Sequence, residues 1–378
     1  MINPSGLLEV LARNKIRYFV GVPDSLLSSL CSKIEGSSSA VEHMIAPNEG
    51  TAVAIAIGFH LASGDTPAVY MQNSGLGNAY NPLISLAHQG VYGIPMLLII
   101  GWRGAKGHLD EPQHVAQGVI TPMMLELAGI NTFVIDEHSQ VDQIEEFLRG
   151  NAVGAKGPYA LLVSPDVLEK STNAVDTLET VGLTREAALT EVINSLPASS
   201  IVVATTGKLS RELYEYRENT DLVGCDFLTV GGMGHASAIA LGIAKQCPKR
   251  TVVCLDGDGA FQMHLGVTAL IGECSPSNFV HVLFNNGIHE SVGGQKIAAT
   301  GVKYEELIFS LNYKSYDLML TTEEIASKMS LVCKKLGPNF VEIKVNSESR
   351  KDLKRPKSSP EDNKVTFQNY VLNQESKK

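Results

Sequence analysis

Two stretches in the second half of the chain hold the residues best suited to chemistry: VVCLDGDGAFQM at 252–263 and NFVHVLFNNGIHESVGG at 278–294. Each apolar run ends in small polar residues. Asn286 follows Asp258 by 28 positions, which leaves room for a crossover helix in FQMHLGVTALIGE. In an open parallel sheet, ligands bind at the carboxyl ends of the strands, so the two ends can meet on one ligand. Asp258 and Asn286 offer hard oxygens of the kind magnesium takes beside phosphate oxygens and water, and Asn285 competes for the amide role. Gly257 and Gly259 let the backbone come close to a bound group, and the amides that open the next helix can hold phosphate oxygens. Singly, Asp-Gly and Asn-Asn-Gly are ordinary turn sequences. Their pairing behind two apolar strands is what points to a metal and diphosphate site.

A second group lies in WRGAKGHLDEPQH at 102–114, where Arg103, Lys106, His108 and His114 gather positive charge. An arginine fork suits an oxyanion, and histidine relays protons near neutral pH. For Lys106 or His108 alone, an ordinary solvated loop charge is the plainer reading.

These residues need a scaffold, and the pattern supplies one. Apolar helical stretches alternate with short β-rich runs: LLEVLARNK before YFVGVP, TAVAIAIGFHLAS before AVYMQNS, then RTVVCLDGDGA and NFVHVLFNNG. This predicts an α/β protein with mainly parallel, doubly covered sheets. GPYALLVSPD at 157–166 and GPNFVEIKV at 337–345 close the two halves in the same way, each a final strand entered through Gly-Pro, so two doubly wound domains of similar topology are expected. The predicted division is a first domain over 1–168, a linker over 169–183 (EKSTNAVDTLETVGL), a second domain over 184–346 and a surface tail over 347–378, an extended arm without periodicity.

Composition narrows the function. A chain of 378 residues, 44% hydrophobic and 19% charged, buries substantial cores. Its net charge of -9 and pI near 5.6 argue against nucleic acid as partner and for a small molecule. Cys31, Cys225, Cys247, Cys254, Cys274 and Cys333 show no CxxC pair or zinc spacing. The start MINPSGLLEVLARNK lacks a signal pattern, and IPMLLII at 94–100 is too short to span a bilayer. A cytoplasmic, reduced protein with no membrane partner is expected.

GDG followed some two dozen residues later by NN resembles the signature of the thiamin-diphosphate enzymes. By that resemblance Asp258 and Asn286 are side-chain ligands of Mg2+ and Ile288 offers its carbonyl, while Gly257, Gly259, Ala260 and Gly207 contact the cofactor. In GGMGHASAIALG at 231–242, Gly232 and Met233 match the turn that props the cofactor in its bent shape, although methionine on an apolar stretch is usually core filler. Glu49, in HMIAPNEGTAVAIAIGFHLASG, matches the glutamate beside the aminopyrimidine ring. A carboxyl buried there has a raised pKa and shares a proton with the ring; the alternative is a first-turn glutamate favoured by the helix dipole. The family usually takes the glutamate and GDG from different subunits, which implies a homodimer or higher homo-oligomer with interface active sites.

The chain has no room for the third domain of larger members and is similar to the short branch. GVPDSLL at 21–27, VYMQNSGLGNAYNPL at 69–83, IGWRGAKGHLDEPQHVAQG at 100–118, TTGKLSREL at 205–213, SVGGQ at 291–295 and RKDLKRPKSSPEDNK near the end resemble phosphonopyruvate decarboxylases, with Lys354 standing where that family more often has glycine. The resemblance implies decarboxylation of 3-phosphonopyruvate to phosphonoacetaldehyde in phosphonate biosynthesis. Asp24, Ser25, Arg103, Gln113 and His114 would meet the doubly anionic 2-oxo acid, with His114 also moving a proton. Sulfopyruvate decarboxylase is the near alternative, and one fused chain is expected to speak against it. A nicotinamide oxidoreductase would want GxGxxG after a strand, which GGMGHA does not supply. A protein that merely holds the cofactor would lack Glu49.

Overall fold

The computed structural model describes residues 1–37, 41–152, 154, 156–170, 182–220, 225–350 and 352–375. It divides into two compact units, Met1–Asp176 with His289–Ala298, and Thr177–Ile288 with Ala299–Lys378. Residues 171–181 of the expected linker lie outside the described residues.

The first unit carries β1 (Tyr18–Gly21), β2 (Glu42–Ile45), β3 (Ala68–Gln72), β4 (Met96–Gly101), β5 (Asn131–Ile135) and β6 (Pro158–Val163). The second carries β7 (Ile201–Ala204), β8 (Cys225–Leu228), β9 (Val252–Gly257), β10 (Phe279–Asn285), β13 (Ser315–Met319) and β14 (Asn339–Lys344), while the short pair β11 (Ile288–His289) and β12 (Gln295–Lys296) forms its own two-stranded sheet, β12 lying in the segment that belongs to the first unit. The first sheet runs β2-β1-β3-β4-β6-β5 and the second β8-β7-β9-β10-β14-β13, parallel throughout. The strand order is the same in both. Two doubly wound domains of similar topology are therefore observed, and β6 and β14, each behind Gly-Pro, hold equivalent places.

Burial explains the strand composition. Phe19, Leu97 and Leu161 face one core of the first unit, and their chain neighbours Val20, Leu98 and Leu162 face the other. Val202, Val253 and Val282 against Val203, Cys254 and Leu283 repeat this in the second. A strand covered on both faces reads as a continuous apolar run, as IPMLLII does in β4.

Two expectations need correction. The crossover from β9 to β10 is two helices, Asp258–Met263 and Gly266–Cys274, broken at His264 and Leu265. The tail is not an extended arm to its end. Arg350 pairs with Glu186 at 2.8 Å and with Glu215, and the Lys354 amide donates to Glu215 at 2.6 Å. A helix, Pro360–Glu375, then packs on the second unit. Phe367 meets Phe227 edge-on at 5.5 Å, and Asn363 bonds the backbone of Asp226 and Leu228, both at 3.2 Å, along the edge strand β8. Among the helix's described side chains Phe367, Tyr370 and Val371 face the core, too few among polar residues to give a readable period.

Candidate active site

In the second unit Asp258 opens the helix after β9 and is 3% exposed. Its Oδ1 accepts from the Gly259 amide at 2.7 Å, and its Oδ2 accepts from the amides of Asn286 at 3.0 Å and Gly287 at 2.5 Å. The carboxylate thus stitches the end of β9 to the end of β10. Gly287 reaches it with φ +74, a left-handed backbone that suits glycine. Burial pushes the Asp258 carboxyl up to about 6, against the pull of those three amides and of Lys344. A buried acid held up in this way gains from a cation at its free lone pairs.

The neighbouring asparagines divide their work. Asn285 donates to Glu342 at 2.7 Å, whereas Asn286 accepts at Oδ1 from the Ile288 amide at 3.1 Å and keeps its second lone pair. Around them, a Cβ added to Gly257 would meet open space, and the Thr205 hydroxyl at the end of β7 is buried without a partner. Gly207 turns two residues later with φ +103. Ala260 is buried in the first helix, and half-buried Met233 follows Gly232, whose φ is +65. A buried carboxylate, an amide oxygen, an unpartnered hydroxyl and glycine-made space fit a magnesium ion with diphosphate oxygens.

In the first unit Glu49 is the first residue of the helix Glu49–Ser63, behind the N-cap Asn48, and is 5% exposed. Asn78 donates to its Oε2 at 2.9 Å. A methyl added to Gly75 would overlap its carboxylate. The segment Gln72–Gly75 at the end of β3 links this acid to the expected substrate group. Gln72 donates to Asp24 at 2.8 Å, and Asn73 accepts from the Arg103 amide at 3.1 Å and donates to the Arg103 carbonyl at 2.9 Å.

Arg103 donates from Nη1 to Ser25 at 3.0 Å and from Nε to Asp110 at 2.8 Å, with Nη2 closing the fork on Asp110. His114 meets the same carboxylate through Nδ1 at 2.8 Å. The two aspartates are pushed apart. Burial raises the Asp24 carboxyl, against Gln72 and Arg103, and leaves its Oδ2 without a hydrogen-bond partner. Burial works on Asp110 in the same direction but is overridden by Arg103, His114 and the amides of Glu111 and Gly104, which hold it far below the usual carboxylate range. One carboxyl is poised to carry a proton and the other to stay charged, the arrangement from which acid and base roles are built.

Asp24, Ser25, Arg103 and His114 are therefore brought together. Gln113 is half-buried in the first turn of the helix Pro112–Leu127, and Lys106 and His108 are exposed. The residues that join the group, Gln72, Asn73, Asn78 and Asp110, were missed by the sequence reading. For Gln72 and Asn73 the signal was the one that exposed Asp258: AVYM is an apolar strand that ends in polar QNSG.

Residues 5–124 match the family model for the thiamine pyrophosphate enzyme, N-terminal TPP binding domain, and residues 205–358 the model for the C-terminal TPP binding domain. The chain is 32% identical to a phosphonopyruvate decarboxylase of Streptomyces viridochromogenes, over 98% of this chain and 95% of that one. Identity to the phosphonopyruvate decarboxylase of Streptomyces hygroscopicus is 31%, over 98% and 94%. A sulfopyruvate decarboxylase of Methanosarcina acetivorans is 27% identical over 79% of this chain and 80% of its own. That match overturns one expectation: a protein of the sulfopyruvate type also spans both halves in one chain, so fusion of the domains does not discriminate.

Proposed function

The chain belongs to the thiamine pyrophosphate enzymes, in the family of the phosphonopyruvate decarboxylases, and is a 2-oxo acid decarboxylase that uses thiamin diphosphate; from this premise we propose that it converts 3-phosphonopyruvate to phosphonoacetaldehyde and carbon dioxide with Mg2+, as a step of phosphonate biosynthesis. The observation that carries the cofactor half is the Asp258 carboxylate, fixed by three amides where β9 and β10 end. End-to-end similarity at 32% carries the substrate half.

The residue roles join the bonds already described to the family resemblance. Asp258, the Asn286 side chain and the Ile288 carbonyl would hold the metal, and Gly257, Gly259, Ala260 and Gly207 would line the diphosphate. Gly232 and Met233 would support the cofactor. Bound there, thiamin diphosphate supplies the electron sink that no side chain supplies. Glu49, its carboxylate fixed through Asn78, would share a proton with the aminopyrimidine ring of the bound cofactor. Arg103, steered by Asp110 and Ser25, and Gln113 orient the anionic ends of the substrate. Asp24 and His114 stand ready to hold or move a proton.

The helix Pro112–Leu127 supports a homo-oligomer. It exposes Val115, Val119, Met123 and Leu127 at every fourth residue, the last at 81%, an apolar stripe of the kind a second copy covers. No helix among the described residues is long and apolar enough to cross a membrane. Among the described side chains the five cysteines are free, which favours a reducing compartment such as the cytoplasm.

Carbon dioxide release from phosphonopyruvate, sulfopyruvate and pyruvate, each with and without thiamin diphosphate and magnesium, tests the reading. Phosphonopyruvate should lead and require both additions. Faster release from sulfopyruvate would transfer the chain to the sulfonate enzymes, and preference for pyruvate would defeat the anion-binding argument.

A further inference from the structure

Below the Asp258 turn lies a second carboxylate that the proposed reaction does not use. Asp256, on β9, is 0% exposed. Its Oδ1 accepts from the Gly257 amide at 3.0 Å, and its Oδ2 lies 3.4 Å from Nε2 of His281, also 0% exposed, on β10. The other ring nitrogen of His281, Nδ1, lies 3.3 Å from the Tyr313 hydroxyl. The imidazole is packed edge-on against Phe261 at 5.4 Å and Phe340 at 5.2 Å. Phe261 belongs to the short helix that Asp258 opens.

Burying an acid and an imidazole in an apolar core is costly unless each holds the other, so the pair asks for a reason. Its place supplies one. β9 and β10 are bridged twice, at one level by Asp256 and His281 and at the next by Asp258 and the amides of Asn286 and Gly287. The lower bridge fixes the amide of Gly257 and, through Phe261, the helix behind Asp258, so it acts on both sides of the turn. Cys254 brings a third ligand atom, with all three within 4.8 Å of one another. Asp256 and His281 already answer each other there.

We infer that His281 and Asp256 are positioning residues for the magnesium site: their buried bridge sets the aim of Asp258 and so the affinity for the metal. The inference rests on the reading of Asp258 as a magnesium ligand. Residues that orient metal ligands in this way change metal affinity by about tenfold to a hundredfold when replaced.

The test titrates magnesium into the full-length protein by calorimetry, with thiamin diphosphate present, and follows kcat and KM beside it. In His281→Phe, which keeps the ring packing and removes both polar contacts, magnesium affinity should fall about tenfold or more while kcat at saturating magnesium stays within about threefold. His281→Gln, whose amide can still donate to Asp256, should recover part of the loss. If His281→Phe does not fold, Tyr313→Phe, which frees the other ring nitrogen, should weaken magnesium by a smaller factor. Unchanged magnesium affinity in a folded variant, even with a lower melting temperature, would make the bridge purely structural and overturn the inference. Stoichiometric zinc retained after chelation and lost in Cys254→Ser would overturn it too, by putting a metal where the bridge is. A wild-type protein that binds no magnesium would instead sink the reading of Asp258.

Discussion

The two sheets share one strand order, yet they hold their principal acids by different means. In the first unit, side chains do much of the holding: Asn78 fixes Glu49, Gln72 fixes Asp24, and Arg103 and His114 fix Asp110, beside the amides of Gly104 and Glu111. In the second, Asp258 is held by three backbone amides. A side-chain clamp is adjustable one substitution at a time, which suits substrate and proton chemistry. An amide cradle is independent of side-chain identity, which suits a fixed metal and diphosphate. One fold supplies both because its strand ends come to the same edge in each unit.

The sharpest way to break this comparison is to remove each acid in turn. Asp258→Asn places an amide among three N–H donors, so magnesium binding should be lost and turnover should fall roughly a thousandfold, with thiamin diphosphate binding failing alongside. Glu49→Gln should cut turnover by roughly 10²–10⁴-fold and leave the cofactor bound, measured as bound thiamin diphosphate after gel filtration. Equal loss of cofactor in both variants would erase the division of labour.

Replacing the holders rather than the acids sharpens it. Asn286 gives Asp258 only its backbone amide, so Asn286→Ala leaves the cradle intact and should weaken magnesium by roughly tenfold to a hundredfold through the lost ligand alone. Asn285→Ala, which instead takes one donor from Glu342 and leaves it Tyr316 and Lys344, should weaken it less. In the first unit Asn78→Ala removes the clamp itself and should lower kcat by about tenfold, the worth of one hydrogen bond to a charged group. Unchanged kcat in Asn78→Ala would show that Glu49 is held by packing against Gly75 and not by the amide.

What was legible in the sequence follows the same divide. An amide cradle forms wherever a strand turns into a helix through small residues, so GDG and NNG announced it without knowledge of any distant partner. Gly-Pro before β6 and β14 announced the repeated topology. The side-chain network was only half legible. Arg103 and His114 stood out by charge, and Gln72 by its place at the polar end of AVYM, but Asp110 reads as a loop acid until folding brings the fork of Arg103 onto it, and Asn78 carries no local mark. The final helix was hidden because three apolar residues carry its whole contact with the core. Asp256 and His281 were unreadable for another reason: inside an apolar strand, a polar residue shows its purpose only when the adjacent strand supplies the partner.

The last expected effect is one of pH, and it separates the two kinds of holding without a mutation. With no metal bound, burial raises Asp258 from its ordinary 3.8 to about 6. Between those values the folded protein binds the proton more tightly than the unfolded chain. The stability Asp258 contributes is therefore full below about pH 4 and is lost as pH rises through 6, by on the order of 2–3 kcal/mol. Magnesium favours the charged form and reverses that loss, so the rise in melting temperature on adding magnesium should grow from pH 5 to pH 7. Asp110 cannot mimic this, since Arg103 and His114 hold it far below the usual range and its contribution is lost only in much stronger acid. A magnesium shift that is flat across the window, or larger at pH 5, would mean that the cradle amides already keep Asp258 charged. The amide-held acid would then need its cation no more than the side-chain-held one does.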